Sequence, residues 1–259
     1  MNILVIGRGW TGNKVFNELV NRGHLVTFCS NAQAVEALYT NKYVWAVNCA
    51  GVTGNPNVDA CESDKRNTIY GNAVFPVLLA DACARNFVRL AHFSSGCIYQ
   101  GEINDVNAEP NYFGSIYSVA KGVSDAYLGD KAQVYRIRMP FTGAIERKNY
   151  LMKVYNYAKN GKLVDFGQNS ITDLDEAVRV ACDLIEADDA NGYYNLVNKG
   201  SINMHELADL MGINPQWYTP EEFKQVTVAA RSTCVIPAYE GMSDVREALT
   251  KAITKIRNA

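Results

Sequence analysis

A hydroxyl, a thiol, a phenol and an amine fall within one stretch of 29 residues, Phe93 to Lys121, which reads FSSGCIYQGEINDVNAEPNYFGSIYSVAK. Ser95 and Cys97 stand where a buried strand should end, and Tyr117 and Lys121 sit four apart, on one face of a helix. A phenol has an ordinary pKa of about 10, and a neighbouring ammonium lowers it. Such a tyrosine can protonate a carbonyl oxygen as hydride arrives, while the serine hydroxyl holds that oxygen. A second Tyr-x-x-x-Lys, Tyr155 to Lys159, follows the fifth predicted strand, not the strand that delivers the serine. It reads as a solvated helix face.

These groups need elements to bring them together. Asn2–Ile6 is an apolar run, as for a strand buried on both faces. Gly7-Arg8-Gly9-Trp10-Thr11-Gly12 follows, then a helix that stops near Gly23, then a strand over Leu25–Cys29. In that setting GxGxxG predicts a dinucleotide site: backbone approaches a pyrophosphate closely at a helix N-terminus. The second strand ends in Cys29-Ser30-Asn31, with no carboxylate to repel a 2′-phosphate. With Arg8 in the turn, NADP(H) is expected over NAD(H). Further strands are predicted over 43–49, 87–93 and 134–138, with helices over 59–66, 73–85 and 111–128. Asn48, Ala50 and Gly51 end the third strand, and Asn72 lies near the head of the helix at 73–85. Helices are also expected over 150–159, 177–186, 207–211 and 245–256, with caps at Asp173/Glu176 and Asn203/Glu206. The rhythm predicts an α/β fold: a Rossmann-type doubly wound parallel sheet. Residues 1–140 would form the cofactor core, and 141–259 a small substrate lobe interleaved with it.

The chain has 259 residues, 48% of them hydrophobic, with net charge −2. Interspersed charges leave no footprint for nucleic acid. No apolar run approaches the roughly 20 residues of a membrane helix, and the start carries no signal-peptide pattern. Seven scattered cysteines without a CxxC pair, and three histidines, argue against a disulfide framework or metal site and for the cytoplasm.

The segments 48–62 (NCAGVTGNPNVDACE), 94–99 (SSGCIY), 110–121 (PNYFGSIYSVAK) and 136–140 (RIRMP) resemble the extended short-chain dehydrogenases/reductases. The similarity is to the branch that handles 4-keto-6-deoxy nucleotide sugars, and in particular to plant-type UDP-4-keto-6-deoxyglucose 3,5-epimerase/4-reductases. It runs from Met1 to about Asn203; the last 50 or so residues match poorly. The glycine turn is one residue shorter than the GxxGxxG usual there, and the connection from Tyr99 to Pro110 is shorter than in plant-type enzymes.

The resemblance implies Ser95, Tyr117 and Lys121 as a reductase triad, with Tyr117 and Lys121 also touching the cofactor. Gly7 to Gly12, Asn48, Ala50, Gly51 and Asn72 would bind NADP(H). It implies that Cys97 and Lys153 exchange protons with the sugar, the hydrogens at C3 and C5 being alpha to the C4 ketone. Val52, Thr53, Ser95, Cys97, Arg138 and Asn149 would contact a UDP- or dTDP-linked substrate. A homodimer is a further family expectation. Two rival readings stand beside this one: a reductase acting on sugar epimerised elsewhere, and a non-catalytic NADP sensor.

Overall fold

The computed structural model describes residues 1–259. Six parallel strands form the central sheet: β1 (Asn2–Ile6), β2 (Leu25–Cys29), β3 (Trp45–Asn48), β4 (Arg89–Ser95), β5 (Gln133–Ile137) and β6 (Gly192–Asn195), in the order β2-β1-β3-β4-β5-β6. Odd-numbered side chains of β1, Ile3 and Val5, join Trp45, Val47, Ala91, Phe93 and Tyr135 beneath helices α1 (Trp10–Asn21) and α8 (Leu174–Glu186). Even-numbered ones, Leu4 and Ile6, join Ala46, Leu90 and Val134 beneath α2 (Asn31–Thr40), α5 (Phe75–Arg85) and α6 (Ile116–Leu128). The period-2 alternation therefore feeds two apolar layers, one on each face, as in a doubly wound sheet.

Winding reverses between β1 and β3, opening a crevice at their carboxyl ends, where open α/β sheets bind ligands. The backbone there is pressed together. Gly7 has φ +96°, and a Cβ on it would lie 2.6 Å from the Ala50 nitrogen. Only glycine fits.

Residues after 140 serve both parts of the molecule. α8 and β6 complete the sheet and cover it, whereas α7 (Tyr150–Asn160), α9 (Met204–Met211) and α11 (Val245–Arg257) enclose a separate apolar cluster around Phe141, Leu151, Leu163, Leu207 and Leu249. Short strand pairs bind the pieces: Pro140–Phe141 with Thr172–Asp173, Lys162–Leu163 with Gln216–Trp217, and Gly101–Glu102 with Cys234–Val235.

Local differences from the sequence reading have physical reasons. The helix bearing Tyr117 starts at Ile116, not Asn111, because Ser115 caps it, accepting from the Ser118 amide at 3.1 Å. The Glu62 carboxylate takes the Ile116 amide at 2.8 Å. The run expected over 59–66 is two short helices, α3 (Asp59–Ser63) and α4 (Lys65–Ile69). A π-helical turn over Tyr70–Val74 then leads into α5. Asn203 and Glu206 form the expected reciprocal cap of α9. Asp173 caps α8, but Glu176 does not reach back; its carboxylate accepts from Asn198 and from Ser243 instead. No helix is long and apolar enough to cross a membrane.

Candidate active site

A cleft of about 730 Å³ runs from the glycine turn, across the carboxyl edge of the sheet, to the C-terminal cluster. Gly9, Trp10, Thr11, Cys49, Ala50 and Gly51 line one end. Ser95, Cys97, Tyr117 and Lys121 line the middle, and Lys148, Tyr150, Lys153, Phe166, Phe223 and Arg231 the far side. All five residues expected to do chemistry thus meet around one space.

The sheet side is set from beneath. β4 delivers Ser95, and a single 3₁₀ turn (Gly96–Ile98) presents Cys97. The Ser95 hydroxyl accepts from the Cys97 amide at 3.1 Å, fixing the turn. α6 is stapled to the strands by Asp125, which pairs with Arg136 of β5 at 2.5 Å and accepts from Ser94 at 2.6 Å, with both charged groups fully buried. One turn before Asp125, Lys121 donates from Nζ to the Phe93 carbonyl at 3.2 Å. The same Nζ lies 3.5 Å from where a Cβ on Gly51 would sit, so it faces the cofactor crevice.

Burial moves both titrating groups toward neutrality. The Lys121 ammonium is pushed down to about 8 by desolvation, with Asp125 and Cys49 pulling the other way. The Tyr117 phenol is pushed above its ordinary value by burial and then by Cys97, against a weaker pull from the Ser95 hydroxyl. This corrects the expectation that Lys121 lowers Tyr117: desolvation outweighs any such attraction. A neutral phenol is still the form that can give up a proton.

The expected cofactor contacts divide. Gly9 is the N-cap of α1 and supplies no side-chain cap, and nothing lies within 4 Å of its Cβ position. The first amides of α1 are therefore open to an anion, which fits a pyrophosphate. Arg8 is exposed at the end of β1, donating to the Phe28 carbonyl at 2.9 Å beside the last residues of β2. Ser30 there is engaged with Gln33 in a reciprocal cap, and no carboxylate ends the strand. Asn48 and Asn72, expected to touch the cofactor, are instead fully buried and committed. Asn48 bonds His92 Nδ1 and the Ala50 amide, both at 3.0 Å. Asn72 accepts from the Val52 amide at 3.0 Å and donates to its carbonyl at 2.8 Å. They shape the crevice from behind.

The expected substrate contacts divide likewise. Thr53 lines the cleft; Val52 does not, packing over Gly71. Asn149 is a correction: it is fully buried, caps α7 by accepting from the Leu151 amide at 3.1 Å, and donates to the Thr142 and Ala144 carbonyls. Arg138 borders the cleft but is 1% exposed, with both terminal nitrogens bonded to protein. Lys153 is partly exposed on α7 and pushed down by burial and by Lys148 and Arg147. The rival pair falls away: Tyr155 and Lys159 are exposed and line no part of the cleft.

Sequence reading missed one wall. Asp59 clamps the loop after α10 (Pro220–Val226) across the cleft mouth. It accepts from the Val228 and Ala229 amides at 3.2 and 2.8 Å and pairs with Arg231 at 2.8 Å. The helical cap signal at Thr219-Pro220-x-Glu222 could have flagged α10; nothing local marks its docking on Asp59.

The chain matches the family described as RmlD substrate binding domain over residues 1–244, well past Asn203, and belongs to that family. It is 29% identical to the bifunctional dTDP-4-dehydrorhamnose 3,5-epimerase/dTDP-4-dehydrorhamnose reductase of Arabidopsis thaliana, over 97% of this chain and 92% of that protein. It is also 29% identical to an Arabidopsis trifunctional protein, a UDP-glucose 4,6-dehydratase, UDP-4-keto-6-deoxy-D-glucose 3,5-epimerase and UDP-4-keto-L-rhamnose-reductase. That match covers 98% of this chain but 42% of the relative, so the chain spans about two fifths of its length. Among solved structures, the L780 UDP-rhamnose synthase of Acanthamoeba polyphaga mimivirus shares the fold. The TM-score is 0.89 at 23% identity, covering 98% and 99% of the two chains.

Proposed function

We propose that this member of the RmlD family is a nicotinamide-dependent enzyme of nucleotide-sugar metabolism. It epimerises a UDP- or dTDP-linked 4-keto-6-deoxyglucose at C3 and C5, then reduces C4, giving the nucleotide-linked β-L-rhamnose. The observation that carries this is the meeting of Cys97 and Lys153 with Ser95, Tyr117 and Lys121 around one cleft. The names of the plant relatives, which pair the same two activities, support it.

Residues 1–140 are read as the cofactor half and 141–259 as mainly the substrate half, with α8 and β6 returned to the core. When bound, the dinucleotide supplies the hydride for C4. The chain's own part is to hold and to move protons. In epimerisation the Cys97 thiolate takes the hydrogen at C3 or C5, forming S–H as the C–H pair moves into an enolate. The Lys153 ammonium returns a proton to the opposite face, and water carries the thiol proton back to the amine. Burial and two neighbouring cations lower Lys153 and make it the better acid. In reduction the Ser95 hydroxyl holds the C4 oxygen and Tyr117 donates its phenolic proton there. Lys121 sits against Gly51, at the crevice expected to take the cofactor.

NADPH is the favoured cofactor, because Arg8 stands beside a β2 end without a carboxylate. Arg8→Ala should cut the NADPH-over-NADH preference in kcat/KM about tenfold, the worth of one charge-assisted phosphate contact. The test of the main reading is solvent deuterium exchange. Without NADPH, the enzyme should wash deuterium into C3 and C5 of the UDP- or dTDP-4-keto-6-deoxyglucose. No wash-in by a preparation that reduces pre-epimerised sugar would leave a reductase alone.

A further inference from the structure

Two arginines stand two residues apart at the end of β5, both buried. Arg136 is matched in charge: three of its contacts go to the Asp125 carboxylate. Arg138 forms no ion pair. Its Nη2 donates to Asn169 Oδ1 at 2.6 Å and to the Ser232 carbonyl at 2.8 Å. Its Nη1 reaches Ser232 Oγ at 3.0 Å, Cys97 Sγ at 3.3 Å and the Gly96 carbonyl at 3.4 Å, while Nε has no partner. A guanidinium keeps its charge at any accessible pH, and burying it without an anion is unfavourable. Of the acceptors around Arg138, only the sulfur can become an anion.

We infer that Arg138 is a positioning residue for the proton transfers at C3 and C5. It fixes the Cys97 sulfur at the cleft and is the counter-charge of its thiolate, rather than a substrate ligand. This rests on the epimerase reading above. Arg138 itself exchanges no proton; its guanidinium stands 3.3 Å from the sulfur that accepts one. Asn169 and Ser232 aim it, so the C-terminal part of the chain orients a group of the N-terminal part. Tyr112, Tyr117, Tyr150 and Cys234 also face Cys97, and the cations Lys121, Lys148, Lys153 and Arg231 line the same cleft. Of the cations at the cleft, Arg138 alone hydrogen-bonds the Cys97 sulfur.

The experiment reads the Cys97 thiolate directly, as the 240 nm absorbance of a protein minus that of its Cys97→Ser counterpart at pH 7.5. Deuterium wash-in, with kcat and KM, is measured beside it. Arg138→Met should lose at least fivefold of the thiolate signal and 30-fold of wash-in kcat, with KM within threefold, and Arg138→Lys should recover part of both. Retention of signal and wash-in within twofold in Arg138→Met overturns the inference. Should Arg138→Met not fold, the wild type decides: a signal no larger folded than in urea at the same pH also overturns it. If the wild type reduces ketone but exchanges no deuterium, the epimerase reading fails, while the absorbance still decides the Arg138–Cys97 coupling.

Discussion

On the sheet side of the cleft each reacting group is anchored from below. Lys121 is tied to the Phe93 carbonyl and α6 is pinned by the Asp125–Arg136 pair. The Ser95 hydroxyl holds the Cys97 turn. On the opposite side Lys153 projects from α7 with its charge opposed by Lys148 and Arg147, and Arg231 is held by Asp59 and the Ala229 carbonyl. The groups proposed for reduction therefore belong to one body, whereas the pair proposed for epimerisation is divided: Cys97 rides on the sheet and Lys153 on the C-terminal cluster. Reduction should tolerate small shifts between the two sides; epimerisation should not.

Four experiments would sharpen or break that contrast. Tyr117→Phe should cost reduction about 10³-fold in kcat, the usual worth of a placed proton donor. Deuterium wash-in should fall far less; equal losses in both assays would mean that the two activities share their acid. Lys153→Met should lower wash-in about 10²-fold and reduction of pre-epimerised sugar only a few-fold. With Lys153 as the proposed acid, wash-in should also decline as pH rises through its lowered pKa.

The third experiment concerns stability. Lys121 is lowered from 10.5 to about 8, so the unfolded chain binds the proton more tightly than the folded one. The penalty is complete below about pH 8 and vanishes as pH climbs toward 10.5. Lys121→Met should therefore abolish reduction yet stabilise the fold by up to about 3 kcal/mol at pH 7, each tenfold change in proton affinity being worth roughly 1.4 kcal/mol. Urea melts at pH 7 and 10 should show the gap closing; a constant gap would mean that Lys121 is not desolvated. The smallest effect is expected of Asp59→Asn, which leaves one acceptor oxygen but removes the charge facing Arg231. With both side chains part-exposed, about 1 kcal/mol is at stake, read as a roughly fivefold rise in KM for the sugar nucleotide.

What could be read beforehand follows the same division. β1 to β5 and the helices between them announce themselves by apolar runs and by glycines at reversals, so Ser95, Cys97, Tyr117 and Lys121 were legible from order alone. Arg8 and the uncapped start of α1 were legible too. Asn48, Asn72, Asn149 and Arg138 were legible as polar residues beside a site, but a sequence does not say whether such a residue faces the cavity or braces it. Each is buried and hydrogen-bonded to other parts of the chain. The far wall was illegible because its contacts are distant. Asp59 meets residues about 170 positions away, and two-residue strands leave no periodicity to detect.

That distance bears on how the protein comes into being. Arg138 is oriented by Asn169 and by Ser232, which lies 94 residues further along, and the Asp59 clamp closes only on residues 228–231. A chain emerging from the ribosome can pair β1 to β5 before residues 228–232 are made, since folding during synthesis proceeds from the N-terminal side. Its thiol would meanwhile sit beside a guanidinium not yet aimed. The cleft is thus completed only by residues 228–232, made long after the segments that press together at Gly7 and Ala50 to form its other end.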